Sequence, residues 1–335
     1  MSPTIGPYRN RTGVDVDSRG ALRWTFDRLR RGRLLPPRAD LPVMEPELGF
    51  LRENRSAPTV TWIGHSTVLL QVAGCNILTD PVFSTFASPV PFAGPKRMQP
   101  PGIRLHDLPH IHAVVLSHNH FDHLDLPSVR ALQRQPGGAP RFLVPKGVEA
   151  WFARHVAPPA LRHGRPLVIP VEWDDVVDGL EELPGFAFHF LQVQHWSNRS
   201  ILRRNDTPWG SWAILHPTFR FWFSGDLGYS DAPSRIGERL GPFDVAAIAI
   251  GAYEPRWLMQ PQHVNPDEAV QVMLDVRARA AIGVHWGTFS LSDEAPEQPP
   301  RDLAAALQAR GLPPHDFTVL RHGETRRFAP REVHE

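Results

Sequence analysis

Four side chains of metal-ligating types fall within six consecutive positions, and this cluster restricts the fold more than any other feature. The cluster comprises His118, His120, Asp122 and His123, in the pattern His-x-His-x-Asp-His. It follows the apolar run at residues 113–116 directly, and such a run is typical of a strand buried on both faces. Side chains two positions apart share one side of an extended backbone, so His118 and His120 are expected to point together. A turn can then present Asp122 and His123 on a neighbouring face, and imidazole nitrogens and carboxylate oxygens are zinc ligands.

The remaining composition excludes several kinds of site. The single cysteine, Cys75, excludes an intramolecular disulfide framework and a zinc site built on thiolates. The 36 basic and 35 acidic residues nearly balance, so no global field would attract nucleic acid. No apolar run approaches the ~20 residues of a membrane span, and no signal peptide is recognisable. We therefore predict a cytoplasmic protein without a nucleic-acid partner.

Apolar runs and turn signals divide the chain into an irregular start and one α/β domain. Residues 1–57 are predicted to form an N-terminal extension with a helical stretch at 21–33, and residues 58–335 to form the domain. Strands are predicted over residues 60–64, 68–72, 76–79, 113–116, 142–144, 167–170, 186–193, 211–215, 220–224, 245–250, 281–285 and 318–320. Helices are predicted from residue 126 onward and over 147–155, 267–278 and 301–311, with a long loop over 84–109.

The histidine cluster after the apolar run resembles the signature of the metallo-β-lactamase-fold hydrolases. That family completes two metal sites with a later histidine, a bridging aspartate and a last histidine, each near a strand end. His195, Asp226 and His285 match these positions in order. The resemblance implies an α/β fold, the αββα sandwich of two mixed β-sheets flanked by helices. It also implies two Zn²⁺ ions per chain, although other divalent metals suit such ligands too. The implied ligands are His118, His120 and His195 for one ion, Asp122, His123 and His285 for the other, and Asp226 as the bridge.

Further segments resemble a narrower group, the N-acylphosphatidylethanolamine-hydrolysing phospholipases D. These segments lie at residues 61–67, 78–84, 94–97, 117–125, 209–212, 241–244, 250–257 and 262–266. The similarity extends from about residue 20 to the C-terminus. The loop at residues 87–93 departs from the group, because it is apolar where more polar, substrate-facing residues are expected in the animal enzymes.

The resemblance implies a phosphodiesterase that hydrolyses N-acyl phosphatidylethanolamine or a related phospholipid to an N-acylethanolamine and phosphatidate. Two ions ~3.5–4 Å apart would lower the pKa of a bridging water, and the resulting hydroxide would attack phosphorus in line. Asp122 could also steer the proton of this nucleophile, and Asp80 is a candidate to orient a ligand imidazole. By resemblance, His263 is a candidate for phosphate contact or leaving-group protonation. The sequence leaves the roles of His65 and Arg256 open.

Three other functions are considered from the sequence. A lactonase of the same fold, acting on a phosphorylated sugar lactone or a similar small ester, is compatible with residues 64–67, whereas the segments around Trp257 and His263 argue against it. A ribonuclease Z-like nuclease would need a basic patch with interleaved aromatic residues, which the chain lacks. A non-catalytic metal-binding protein of this fold would usually have lost a ligand. From the resemblance we also expect a phospholipid substrate, peripheral contact with a membrane and a homodimer.

Overall fold

The computed structural model of the chain describes residues 4–14, 18–30, 41–156, 158, 160–200 and 203–332. The strands are β1 Thr4–Ile5, β2 Thr59–Gly64, β3 Thr67–Val72, β4 Cys75–Thr79, β5 Ala113–Val115, β6 Arg141–Pro145, β7 Leu161–Arg162, β8 Arg165–Pro166, β9 Val168–Val171, β10 Val176–Asp178, β11 Ala187–Leu191, β12 Asn198–Ser200, β13 Arg203–Arg204, β14 Ser211–His216, β15 Phe219–Phe223, β16 Val245–Ala249, β17 Ala281–Val284, β18 Phe317–Thr318 and β19 Thr325–Arg327. The helices are α1 Ser18–Arg30, α2 Leu48–Glu53, α3 Leu126–Gln133, α4 Val148–His155, α5 Ala232–Leu240, α6 Arg256–Met259, α7 Pro266–Asp275 and α8 Gln298–Ala309, with a 3-10 turn at Leu105–Asp107.

Two seven-stranded sheets dominate the structure. The first sheet has the order β19-β2-β3-β4-β5-β6-β9, and the second has the order β10-β11-β14-β15-β16-β17-β18. In each sheet the first three pairings are antiparallel and the last three are parallel, so both sheets are mixed. The strands shared by the two kinds of pairing are β4 in the first sheet and β15 in the second. The small sheets β1-β13-β12 and β7-β8 lie outside them.

The two large sheets pack against each other, and helices cover their outer faces. Val68 and Leu70 of β3 belong to a buried cluster that also contains Phe221 of the second sheet. Leu69, between them, points the other way into a cluster with residues of α3 and α4. Helices α5, α7 and α8 pack on the second sheet. The predicted αββα sandwich is confirmed.

The structure contains elements that the sequence patterns did not predict. Among the described residues these include α2, α5, α6, β10 and β19, and the strand predicted at 186–193 ends at Leu191. Helix α5 contains Gly237, a residue that disfavours helix interiors. Its lack of a side chain is used in packing, because a Cβ there would lie 2.1 Å from the carbonyl oxygen of Asp275. Helix α1 overlaps the predicted helix at 21–33, whose last three residues lie outside the described ranges.

Several residues before position 58 contact the sandwich. Strand β1 pairs with β13, and Leu51 of α2 is fully buried in the cluster formed with α3 and α4. The Met44 N–H donates to the carbonyl oxygen of His322. The division into an extension at 1–57 and a domain at 58–335 stays a prediction.

The carboxyl ends of the parallel strands place the candidate site. Strands β4 and β5 of the first sheet end before Asp80 and His118, while β15 and β17 of the second end before Asp226 and His285. Open sheets bind ligands at this end of their strands, because backbone turns release side chains there. The packing of the two sheets brings all these residues to one edge of the sandwich.

Candidate metal centre

The structure brings all seven predicted ligand residues together at this edge. Two groups of ligand atoms each lie within 4.8 Å of one another, one formed by His118, His120, His195 and Asp226 and the other by His65, Asp122, His123 and His285. Apart from His120 and Asp122, which are half-buried, these residues are buried. The convergence establishes two candidate metal-binding clusters of histidine and aspartate side chains.

The first cluster surrounds the Nε2 atom of His118. The Nδ1 atom of His120 lies 2.8 Å from it, and Asp226 Oδ2 lies 3.9 Å from it. His195 directs its Nε2 to the same oxygen at 3.7 Å. Three imidazole nitrogens from two sheets therefore face one space beside a shared carboxylate.

The second cluster faces the same Asp226 oxygen as the first. His123 Nε2 and His285 Nε2 lie 3.2 and 3.1 Å from Asp226 Oδ2. The same two nitrogens lie 3.4 and 3.5 Å from Asp122 Oδ2. Asp226 Oδ2 therefore faces histidines of both clusters, as a carboxylate shared by two cations would.

The chemistry of these atoms fits a bound cation. The Nε2 atoms of His123, His195 and His285 and the Oδ1 atom of Asp226 are buried without a hydrogen-bond partner among the described residues. Burying polar atoms without partners is costly, and buried charges are usually paired or coordinate metals. Divalent cations would satisfy these atoms.

The pKa values of these groups separate the histidines into two kinds. Burial lowers the pKa of His195 to about 4 and that of His120 to about 3, so both rings are neutral and present lone pairs. Burial also disfavours the charged form of His285, but Asp226 and Asp122 outweigh it and raise its pKa to about 9. The same two carboxylates raise the pKa of His123 well above its usual value. Without metal, protons on these two rings balance the carboxylates.

Asp80 lies behind the candidate ligands and hydrogen-bonds to His123 and Ser117. Its Oδ2 accepts a hydrogen bond from His123 Nδ1 at 2.6 Å, and its Oδ1 accepts from the Ser117 N–H at 2.7 Å. The Ser117 hydroxyl donates to Asp80 Oδ2 and can accept from His118 Nδ1 at 2.8 Å. These contacts hold both rings with Nε2 facing the centre. Sequence reasoning predicted Asp80 but not Ser117, although Ser117 stands directly before the motif.

His263 also faces the centre. Its Nδ1 atom lies 4.0 Å from Asp226 Oδ2 and has no hydrogen-bond partner among the described residues. Burial holds the pKa of His263 well below its usual value, so the ring is neutral. The preceding residue, Gln262, accepts a hydrogen bond from His195 Nδ1 on its carbonyl oxygen at 3.0 Å. Sequence reasoning did not assign this orienting role to Gln262.

The structure places the two residues whose roles the sequence left open. Arg256 Nη2 contacts both carboxylate oxygens of Glu268, at 3.0 and 2.8 Å. Its Nη1 donates to the carbonyl oxygen of His263 at 2.9 Å, so it fixes the backbone that carries this ring. His65 is buried and directs Nε2 to Asp122 Oδ2 at 3.0 Å.

A cavity of about 1040 Å³ opens beside the loop that carries the first ligands. Asn119 and Phe121, which alternate with the histidines along this loop, contribute to its lining. The guanidinium of Arg199 lies between the rings of Phe121 and Trp151, at 4.3 and 4.7 Å from their centroids. Its Nη1 donates to the carbonyl oxygen of Asn119 at 3.0 Å, on the loop that carries the first ligand residues. Aromatic surface and one half-buried cation therefore occur together next to the candidate metal centre.

Comparisons with known proteins agree with this geometry. The Beta-lactamase superfamily domain matches residues 75–286. N-acyl-phosphatidylethanolamine-hydrolyzing phospholipase D 1 of Caenorhabditis elegans is 39% identical over 81% of this chain and 76% of its own. The mitochondrial N-acyl-phosphatidylethanolamine-hydrolyzing phospholipase D of Saccharomyces cerevisiae is 34% identical over 75% of this chain and 52% of its own. A metallo hydrolase structure from Ignicoccus hospitalis superposes with a TM-score of 0.58, at 19% identity, over 82% of this chain and 99% of its own.

Proposed function

Because the chain is a metal-dependent hydrolase of the beta-lactamase superfamily and a homologue of the N-acyl-phosphatidylethanolamine-hydrolysing phospholipases D, we propose that it is a dinuclear zinc phosphodiesterase. Its substrate in this proposal is N-acyl phosphatidylethanolamine or a related phospholipid. The identity of 39% to a phospholipase D over most of both chains carries the proposal. The comparisons do not favour the lactonase alternative.

The ligand residues would hold the ions as the two clusters suggest. His118, His120 and His195 would hold one ion and Asp122, His123 and His285 the other, with Asp226 shared. When bound, two such ions would lower the pKa of a water between them and stabilise charge on a phosphoryl oxygen. Among the described residues the Nε2 atoms of His123, His195 and His285 are buried without a hydrogen-bond partner, which supports this assignment.

The residues around the ions would bind and orient the phosphodiester. His263 would donate from Nδ1 to a phosphoryl oxygen, because its low pKa keeps the ring neutral and suits hydrogen bonding better than proton transfer. Asp122 would accept the proton from the attacking water, and Asp80 would hold the His123 ring in place. Water would add its oxygen to phosphorus, and the N-acylethanolamine would leave with a proton.

The cavity supports a lipid substrate. A phospholipid needs an apolar surface for its chains and a cation for its phosphate, and ligand sites commonly combine apolar walls with a few polar anchors. Phe121 and Trp151 would supply the apolar surface, and Arg199 would supply the cation.

An exposed apolar loop supports peripheral contact with a membrane. Phe92 is 78% exposed and Val90 is 37% exposed, while Pro89 and Pro91 line the cavity. The loop belongs to residues 87–93, which the sequence showed to be unusually apolar. None of the helices in the described part of the chain is long and apolar enough to cross a bilayer. In this proposal the contact is made by the exposed side chains of this loop, beside the cavity. A homodimer and a cytoplasmic location stay predictions.

A labelling experiment tests the proposed reaction. Zinc-loaded protein is incubated with mixed micelles of N-acyl phosphatidylethanolamine in H₂¹⁸O, and products are identified by mass spectrometry. We expect N-acylethanolamine without label and phosphatidate with one ¹⁸O atom, because the phosphorus–oxygen bond to the alcohol breaks. His110→Gln, remote from the centre, should match the wild type. Cleavage of lactones without cleavage of any phosphodiester would contradict the proposal.

Membrane contact is tested separately. Phe92→Ser should reduce co-sedimentation with phosphatidylglycerol-containing vesicles, because it removes an exposed aromatic side chain from the loop at residues 87–93. Leu161→Ser is the matched control, since Leu161 is 73% exposed outside the cavity lining. Equal binding by the two variants would exclude the loop as the contact.

A further inference from the structure

We propose that His65 is a positioning residue that connects ligands from the two sheets and thereby shapes the second cation site. His65 lies in the turn between β2 and β3 of the first sheet. The inference rests on the proposed metal centre but not on the identity of the substrate. The observations that carry it are contacts made by the side chain and by the backbone of this one residue.

The side chain contacts a ligand from the first sheet. His65 Nε2 lies 3.0 Å from Asp122 Oδ2, the oxygen that faces His123 and His285. A carboxylate only accepts hydrogen bonds, so Nε2 carries the ring proton and donates it. Hydrogen bonds to a charged acceptor are among the stronger ones in proteins. This contact fixes the rotation of the Asp122 carboxylate.

The backbone contacts a ligand from the second sheet. The His65 carbonyl oxygen accepts from the His285 N–H at 3.0 Å and from Trp62 Nε1 at 2.8 Å. The His65 N–H donates to Thr288 Oγ1 at 2.7 Å. Asp122 and His285 thus both form a hydrogen bond with His65, although they come from different sheets.

Local strain indicates that this arrangement is held by its surroundings. His65 and His285 have φ values of +53° and +60°, in the left-handed region that residues with side chains rarely adopt. Such conformations persist only where the surrounding structure fixes them, and they concentrate at functional sites. The His65 ring packs 4.1 Å from the His285 ring and 5.2 Å from the Phe289 ring, measured between centroids, so it cannot turn freely.

Direct ligation by His65 is the competing arrangement, because its nitrogen belongs to the second group of ligand atoms. Ligation through Nε2 would move the proton to Nδ1, which is buried and has no acceptor among the described residues. The hydrogen bond instead keeps the proton on Nε2, where Asp122 accepts it. The geometry therefore favours positioning over ligation.

Two substitutions separate these roles. His65→Leu removes the donor, while His65→Gln keeps an N–H group near the position of Nε2, and both carry the same backbone strain. Zn²⁺ binding is measured by chelator competition, and the number of bound ions by elemental mass spectrometry. We expect His65→Leu to lose about 10–100-fold in affinity for the second ion. His65→Gln should recover most of this loss, and the first ion should be unaffected in both variants. The control is His189→Leu, because His189 is a half-buried histidine on β11. This variant should bind both ions like the wild type.

Several results would overturn the inference. Unchanged affinity in His65→Leu would do so, and so would a loss in His65→Gln as large as in His65→Leu. If the variants do not fold, ¹⁵N-histidine spectra of the zinc-loaded wild type decide, with the His65 ring assigned through its contact with Phe289. A proton on Nε2 supports positioning, and a proton on Nδ1 overturns it. These measurements do not involve lipid, so failure to cleave phospholipid would bear on the proposed function alone.

Discussion

Replacing Asp80 by asparagine should weaken metal binding without altering any ligand atom. Asp80 is fully buried and accepts hydrogen bonds from His123 Nδ1, the Ser117 N–H and the Ser117 hydroxyl. Asparagine has nearly the same volume and tolerates the φ of +30° at this position. It can keep the acceptor for the Ser117 N–H, but it places an amide donor against His123 Nδ1. The His123 proton is then favoured on Nε2, where the ion must bind.

The size of the effect follows from this orienting contact. Loss of a partner that orients a metal ligand costs about 10–100-fold in affinity, which corresponds to about 1.4–2.7 kcal/mol. The loss should fall on the ion held by His123. The Ser117 hydroxyl also contacts His118, so a smaller loss is expected for the other ion.

Chelator competition with Zn²⁺ at fixed pH measures both affinities. Asp125→Asn is the matched control, because Asp125 is a buried carboxylate that caps α3 through Ser128 and contacts none of the ligand histidines. Asparagine is an equally good helix cap, so this variant should bind zinc like the wild type. If Asp80→Asn binds both ions within twofold of the Asp125→Asn control, the orienting role of Asp80 is refuted.

Three more predictions concern the same centre. His263→Ala should lower phospholipid cleavage by about 100-fold or more while keeping the metal content, since its ring is expected to contact phosphate rather than an ion; loss of metal in this variant would contradict the assignment. Arg256→Lys should lower kcat/KM by about tenfold, because Arg256 contacts Glu268 through Nη2 and the His263 carbonyl through Nη1, and lysine has one nitrogen for both; unchanged kinetics would show that the pair is only structural. Metal binding at pH 7 should release about two protons, from His123 and His285, because their raised pKa values keep both rings charged in the metal-free protein. Zinc affinity should accordingly rise with pH until the pKa of His285 at about 9 is passed; calorimetry in two buffers that shows no proton release would exclude this.

Much of the centre was predictable from local sequence. The motif at residues 118–123 combines a buried strand with four ligand types at alternating spacing, and this local pattern requires no knowledge of distant contacts. The order of His195, Asp226 and His285 became interpretable only through resemblance to a family. Strands with apolar side chains on both faces were also predictable from a local pattern, the short continuous apolar run. Strand β5 is an example, because it packs against the other sheet on one side and against helices on the other.

The tertiary structure decided which residues support the ligands. His65, Ser117 and Gln262 contact side chains 57, 37 and 67 positions away, and only the first of them drew attention in the sequence. Arg256 illustrates the same limit, because the sequence left its role open while the fold pairs it with Glu268, 12 positions away. Side-chain type and spacing determine which atoms can bind a metal. Their orientation depends on hydrogen bonds formed after two sheets have packed together, and no local pattern encodes these.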